Sequence, residues 1–466
     1  MLPRAAQTCY AGRMTDRPGA NTLHQPDPGV GRILERAELE GVELIRFLYV
    51  DHGGVVRGKA ASRSRLAERL TSGIGHTVAM MAMNMLDQLQ DVEHMGPVGE
   101  VRIVPDPSTY VTLPHAPGAA AMLSDLRLPD GSPWEACSRS FLKDAVASLA
   151  AEGYLLLAAF EPEFTLGRRL PDPSGGPDRL VPIDDSLCYA GTGFDTAHDY
   201  TIKLIRALET QGLRVEHCHP ELGPGQQELS VRHAPALRAA DNHVLYRETV
   251  RGVAMRMAMW ASLAPKPLAD QAGNGAHLHL SLWRDGTNVF GEDGDVRAWF
   301  IGGLLAHLPA LTALTCGSVN SFRRLAPRRW SSAYAVYGPD NREAAVRVCS
   351  PLGELGEPNL ELKPSDSSAN PYLSLGAVIH AGMDGIRRKL DPGEPVTVDP
   401  DTRPGLYPRL PASLDEALDA LEADETLTEA LGPLRRDAFL AVKRSEAAAF
   451  AGRDASYECF QHMRVF

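Results

Sequence analysis

Two apolar runs, Gly41-Val-Glu-Leu-Ile-Arg-Phe-Leu-Tyr-Val50 and Val55-Val-Arg-Gly-Lys59, flank the turn Asp51-His-Gly-Gly54. β-rich runs on either side of a glycine turn predict a hairpin. A helical segment is predicted near residues 63–72, and further short strands begin at Val101 and run from Ala119 to Leu126. Together these predict a small mixed β domain over residues 29–120. The methionine-rich stretch from Ala79 to Met85 follows neither period and reads as a loop packed against another part of the chain. A helix over Ser138–Glu152 opens a larger α/β unit, residues 121–466. There, short strands at 154–166, 214–217, 226–232, 275–283, 344–348 and 359–363 alternate with helices at 195–211, 239–263 and 371–388. Amphipathic helices over Ser413–Glu429 and Arg435–Phe450 close the chain. Residues 1–28, rich in Pro, Gly, Asn and Thr and without periodicity, are expected to form a disordered leader.

Composition narrows the classes of function. The 466 residues are 44% apolar and 23% charged, as in a globular protein with two domains. A formal charge of −12 argues against nucleic acid or an anionic membrane as a main partner. The seven scattered cysteines form neither a disulfide framework nor a CxxC zinc pattern, which points to a reduced cytoplasm. No apolar run is read as a membrane helix, and the N-terminal arginines precede no apolar signal region.

Four strand patterns carry candidate chemistry. In Phe160-Glu-Pro-Glu-Phe164, Glu161 and Glu163 leave one face of an apolar strand. They are either surface glutamates of an exposed edge or a pair whose like charge needs cations beside it. Glu221 and Glu228 flank a Gly-Pro-Gly turn. In Gly273-Asn-Gly-Ala-His277-Leu-His279-Leu-Ser281, two imidazoles share one face and the leucines the other. Asn359-Leu-Glu361-Leu-Lys363 repeats the alternation, as a half-exposed antiparallel strand would. Pooled, Glu161, Glu163, Glu221, Glu228, His277 and Glu361 are five carboxylates and one imidazole, a donor set suited to Mg²⁺ or Mn²⁺. Between these strands lie Arg323, Arg324, Arg328, Arg329, Arg342 and Arg347. Some read as a solvated basic loop, but Arg347 interrupts an apolar run. Guanidinium groups bind carboxylates and phosphates in a bidentate way. With no Walker loop or GxGxxG present, a multiply charged anion such as ATP would be held by metals and arginines.

In this order, the segments resemble the glutamine synthetase family from about residue 29 to the C-terminus. The motifs are Phe-Glu-Pro-Glu-Phe, Glu221…Gly225-Gln226…Glu228, Gly273-Asn-Gly-Ala-His277-Leu-His279, Asn320-Ser-Phe-Arg-Arg-Leu, Asn341-Arg342, and Glu361 ahead of Ala369-Asn-Pro-Tyr-Leu. The resemblance implies an α+β fold, with a β-grasp-like N-terminal domain and a large catalytic domain built on a curved antiparallel sheet. It implies a homo-oligomeric ring, commonly a dodecamer, with sites between neighbouring subunits. It implies ATP and two divalent cations as cofactors, and glutamate and a small amine as partners. Glu163, Glu221 and Glu228 match ligands of the metal that positions glutamate. Glu161, His277 and Glu361 match ligands of the metal on the ATP phosphates. His279 and Ser281 match nucleotide contacts, Arg324 the α-carboxylate holder, Arg342 and Arg347 the arginines around the transferring phosphoryl group, and Gly273 the glutamate-binding loop. Tyr407 falls near a loop that some relatives adenylylate, although it reads more simply as a packing residue.

The departures concern the second substrate. Where glutamine synthetases carry an Asp-Gly-Ser-Ser loop, this chain has Ala79-Met-Met-Ala-Met-Asn-Met-Leu-Asp87, and Trp330 stands where they place a flap glutamate. Ala272, Asn359 and Lys363 replace an asparagine and two arginines common in the family. Loss of both ammonium-site acids, with methionines and Trp330 in their place, suits an alkyl amine, ethanolamine or a polyamine better than ammonium. Asp87, Asp91 and Glu93 are candidates for the missing charge. Glutamine synthetase proper and a non-catalytic sensor are the alternatives.

Overall fold

The computed structural model describes residues 29–466 apart from 174, 177, 293, 352, 354 and 355. The leader expected over 1–28 lies outside the described residues. The smaller sheet contains β1 (Leu44–Val50), β2 (Val56–Ser62), β3 (Ile74–Thr77), β4 (Glu100–Pro105), β5 (Val111–Thr112) and β6 (Ala119–Arg127). Its order is β2-β1-β6-β4-β3, with β5 on β6. The predicted hairpin is β1–β2, in register from Leu44↔Ser62 to Val50↔Val56. β1 runs parallel to β6, so the sheet is mixed. Alternation divides β1 between two cores. Ile45, Phe47 and Tyr49 pack with Ile33, Ala37, Met81 and Ala82 inside the small domain. Leu48 and Val50 join the core of the larger domain.

The larger sheet comprises β7 (Leu155–Leu170), β8 (Arg179–Pro182), β9 (Val215–Pro220), β10 (Gln226–Val231), β11 (Ala234–Pro235), β12 (Trp260–Ser262), β13 (Ala276–Arg284), β14 (Thr287–Asn288), β15 (Tyr334–Pro339), β16 (Ala344–Cys349) and β17 (Asn359–Leu362). Its main path is β15-β16-β17-β13-β7-β10-β9. β7 is the spine. Its first half pairs with β13, and its second half turns to β10, β12 and β8 in succession. A 16-residue strand that changes partners along its length bends the sheet into the curve expected of the fold.

Three helical expectations change. The helix expected over 239–263 ends at Arg256, and Trp260–Ser262 becomes β12 on β7. The helix expected over 413–429 breaks at Asp424, whose side chain accepts the Leu427 N–H (3.0 Å) and starts a second helix. The third is Gly294–Thr315, a 22-residue helix apolar enough by composition to cross a membrane, although no such run was expected. Most of it is buried against the Pro371–Arg388 helix. Being apolar on nearly every side, it lacks the one-sided periodicity that reveals a surface helix. Gly303 and Gly385 allow that close packing, since a Cβ on either would meet a backbone carbonyl at 2.1 Å. Tyr407 packs beside Tyr334, Val336 and Val396.

One buried guanidinium joins the two domains. Arg139 opens the Ser138–Ala151 helix and donates to Asp241 (2.9 Å, twice), Asp125 (2.9 Å) and Asp106 (2.8 Å). Tyr372 also donates to Asp241 (2.7 Å). Asp125 lies on β6 and Asp106 just after β4, whereas Asp241 and Tyr372 lie on helices of the larger domain. Against burial, Arg139 holds Asp106 and Asp125 below the usual carboxylate range. Arg139→Ala should cost about 3–5 kcal/mol by chemical denaturation, because it strands buried carboxylates. Depressed carboxylate pKa values stabilise the fold above their unfolded values near pH 4, and that contribution is lost as pH falls through the folded ones. The loss on mutation should therefore shrink in acid, and equal stability of the two proteins at neutral pH would contradict this.

Candidate active site

The polar face of the larger sheet gathers the predicted residues through strand register. Glu163 on β7 lies opposite Glu228 on β10, which lies opposite His219 on β9. Two residues along β7, Glu161 lies opposite His277 on β13. His279 faces Glu361 on β17, and Glu361 faces Arg347 on β16. Leu278, Leu280 and Leu282 point the other way into the core. A one-residue slip would exchange leucines for charges, so the burial pattern locks the register.

An inner set is formed by Glu161, His277 and Glu361, whose ligand atoms all lie within 4.8 Å of one another. His277 Nδ1 is 3.3 Å from Glu361 and 3.6 Å from Glu161. Burial, then the charge of Lys363, lowers His277 to about 4, which leaves a neutral imidazole able to ligate. Burial favours a protonated Glu361, but Lys363, His277, His279 and Arg347 outweigh it and bring the carboxyl down to about 2. Lys363 Nζ rests 3.2 Å from Glu361. Arg347 Nε is 2.7 Å from the other oxygen of Glu361, with Cys349 Sγ 3.3 Å away as its hydrogen-bond acceptor.

An outer set surrounds Glu163 and Glu228. Burial, then the charges of Glu228 and Glu221, pushes Glu163 up to about 8. Burial and Glu161 push Glu228 up to about 7 against the pull of His217. Two facing carboxyls that hold protons to neutral pH fit a divalent cation, which would replace the protons and accept oxygen ligands. Glu221 lies beside them but turns its carboxylate to His219 Nε2 (2.8 Å). His217 Nε2 spans the two sets, 3.7 Å from Glu228 and 3.8 Å from Glu161. These two imidazoles were absent from the predicted site. The signal was available, because Val215-Glu-His217-Cys-His219 repeats the i, i+2 histidine pattern of β13.

Beside the inner set a cavity of about 1280 Å³ is lined by His279, Ser281, Trp283, Arg232 and Asn359, among others. His279 Nδ1 meets Asn359 Oδ1 at 2.9 Å, and Ser281 Oγ accepts the Trp283 indole N–H (2.9 Å). The volume and its contact with the carboxylates suit a nucleotide whose phosphates reach the inner set. On the other side, Arg324 is buried against the Gly273-Asn-Gly275 loop. A Cβ on Gly273 would come within 2.9 Å of Arg324 Cγ and 2.4 Å of Pro265 O, so this approach requires glycine. Arg324 Nη2 donates to Ser365 O (2.9 Å), while its buried Nε has no partner among the described residues. Such a donor suits an anionic ligand. Gln226 fastens the loop by donating to Gly273 O (2.9 Å) and Glu163 (2.6 Å). Arg342 is exposed, with no salt bridge among the described residues.

The methionine expectation is corrected in part. Met81 fills the small-domain core, and Met85 packs with Phe450, Met463 and Phe466, so neither lines the cleft. Asp87 is paired with Arg57 (2.8 Å). Trp330 stays 54% exposed on the segment that follows Arg324.

Two domain patterns match this chain: glutamine synthetase N-terminal domain over residues 28–134 and glutamine synthetase catalytic domain over residues 135–462. A γ-glutamylpolyamine synthetase of Streptomyces coelicolor is 37% identical over 432 residues, 89% of this chain and 92% of that protein. The glutamine synthetase of Pyrococcus furiosus is 35% identical over 407 residues, covering 84% and 87%. The crystal structure of a glutamine synthase homologue aligns with a TM-score of 0.81 at 34% identity, covering 91% of this chain and 99% of that one. A GmaS–ADP complex aligns with a TM-score of 0.81 at 30% identity, covering 91% and 98%.

Calorimetric titration with Mn²⁺ should find two ions per chain. Apparent affinity at the outer set should rise between about pH 6 and 8.5, because protons on Glu163 and Glu228 compete below their pKa values. Glu361→Gln should remove one ion. Uptake independent of pH, or unchanged by that substitution, would contradict the assignment.

Proposed function

The chain belongs to the glutamine synthetase family of ATP-dependent ligases, and from that premise we propose that it joins the γ-carboxylate of glutamate to an amine larger than ammonia. The observation that carries the ligase half is the register that sets two carboxylate groups side by side between a nucleotide-sized cavity and a buried Arg324 Nε that has no partner among the described residues. In this reading Arg324 and the Gly273 loop hold glutamate by its α-carboxylate, and His279 and Ser281 line the nucleotide cavity. A γ-carboxylate oxygen attacks the terminal phosphorus of ATP, the bond to ADP breaks, and γ-glutamyl phosphate forms. The amine nitrogen then attacks the acyl carbon, inorganic phosphate departs, and the nitrogen loses a proton. Arg342 and Arg347 take up the charge that grows on the phosphoryl oxygens. Glu161, His277 and Glu361, and Glu163, Glu221 and Glu228, would hold divalent cations, which would supply positive charge against the phosphates and the carboxylate.

The amine half draws support from two facts. Trp330, which the resemblance sets at the position of a flap carboxylate, stands exposed, and Asp87 is tied to Arg57. A γ-glutamylpolyamine synthetase also stands among the relatives. The Pyrococcus furiosus glutamine synthetase is nearly as similar, so ammonia is the competing reading. Phosphate release from ATP and glutamate should be measured with putrescine, spermidine, ethanolamine, monoalkylamines and ammonia. One organic amine should exceed ammonia at least tenfold in kcat/KM. Preferred turnover of ammonia would refute the amine half and leave the ligase half standing.

A further inference from the structure

The segment 326–332, which follows Arg324, carries an unusual concentration of strained backbone. Arg328 (φ 58°), Trp330 (φ 54°) and Ser332 (φ 65°) all occupy the left-handed region, and none is glycine. A side chain with a Cβ is disfavoured there, so three such residues in five persist only where the surroundings hold them. The principal holder is Glu343. One of its carboxylate oxygens accepts the Trp330 N–H (2.9 Å) and the other accepts the Arg328 N–H (3.2 Å). Its carbonyl accepts the Ser332 hydroxyl (3.1 Å). Glu343 is buried and forms no salt bridge among the described residues, so the segment's amides are the groups that satisfy its carboxylate.

Two lesser anchors complete the arrangement. Ser331 Oγ donates to Arg324 O (2.7 Å), which ties the segment to the arginine beside the Gly273 loop. Arg328 Nε lies 3.1 Å from Asp401, itself fixed by the Tyr334 hydroxyl (2.9 Å). Glu343 is in turn held by Asn341, whose side chain accepts the Glu343 N–H (3.0 Å) and donates to Val396 O and Val398 O. The strained segment thus presents Trp330 outward from a rigid base, where a glutamate accepting two backbone amides replaces the glycines such a turn would otherwise need.

We propose that Glu343 is a positioning residue that latches the 326–332 segment, and through it holds Trp330 as a wall of the amine entrance. This rests on the reading of Trp330 as an amine-side residue, whereas the latch itself does not.

The test reads both parts. Trypsin cleavage after Arg328 and Arg329, followed by mass spectrometry on the ligand-free protein, reports the latch. Glu343→Ala should accelerate cleavage there at least tenfold. Glu343→Gln, whose amide has one acceptor oxygen for two N–H groups, should fall between. The KM for the preferred amine should rise about tenfold in Glu343→Ala, with kcat changed less than KM. Should Glu343→Ala fail to fold, the glutamine variant decides. Cleavage rates equal to the parent in the folded variants would overturn the proposal, as would faster cleavage with an unchanged amine KM. Because proteolysis needs no substrate, a loosened segment in a protein that turns over no amine would fault the functional reading and sustain the latch.

Discussion

Glu161, Glu163, Glu228 and Glu361 leave one face of a single sheet and carry like charge into a largely buried space. The surrounding structure is arranged around that repulsion. The inner carboxylates are answered by His277, His279, Lys363 and Arg347, which keep Glu361 ionised despite its burial. The outer pair has fewer cations near it, and Glu163 and Glu228 rise towards neutrality instead. The difference sorts the two halves chemically. One is charged and cross-linked, while the other holds protons that a divalent cation would displace. The leucines on the opposite face prevent this arrangement from slipping, so burial of apolar surface and placement of charge are one constraint seen from two sides.

Much of this was legible along the chain, because period-2 alternation specifies which residues share a face. Strands β7, β13 and β17 appear where the alternation placed them, and their register brings Glu161, His277 and Glu361 together. What the alternation does not specify is which neighbour a side chain prefers. Glu221 shares the outer set but engages His219, two residues back along the chain; alternation puts both on one face without saying that they pair. The Gly294–Thr315 helix was illegible for the opposite reason, since an element apolar on all sides has no pattern to read. Two of the methionines expected beside the amine pack elsewhere, because composition describes chemistry without position. Met81 and Met85 are polarizable core fillers here, not walls of a cleft.

The segment that carries Trp330 is held chiefly through its backbone amides. In this chain the buried carboxylate of Glu343 sits beneath the segment and accepts its amides, and the outward position belongs to an indole. In the proposed reading, the glutamate-activating and amine-selecting halves therefore rest on different physics. The first depends on like charges set close by a sheet, and the second on a strained loop held by hydrogen bonds to Arg324 and Glu343 and an ion pair with Asp401.

The central claim is that the carboxylate face serves to activate glutamate by phosphorylation. Turnover of glutamate labelled with ¹⁸O in its γ-carboxylate, in the presence of ATP and amine, tests it most directly through the ³¹P NMR isotope shift of the released phosphate. Transfer of one ¹⁸O atom into each phosphate is the predicted result, because the carboxylate oxygen that attacks phosphorus leaves with it. Amide formation with phosphate free of ¹⁸O would contradict the account.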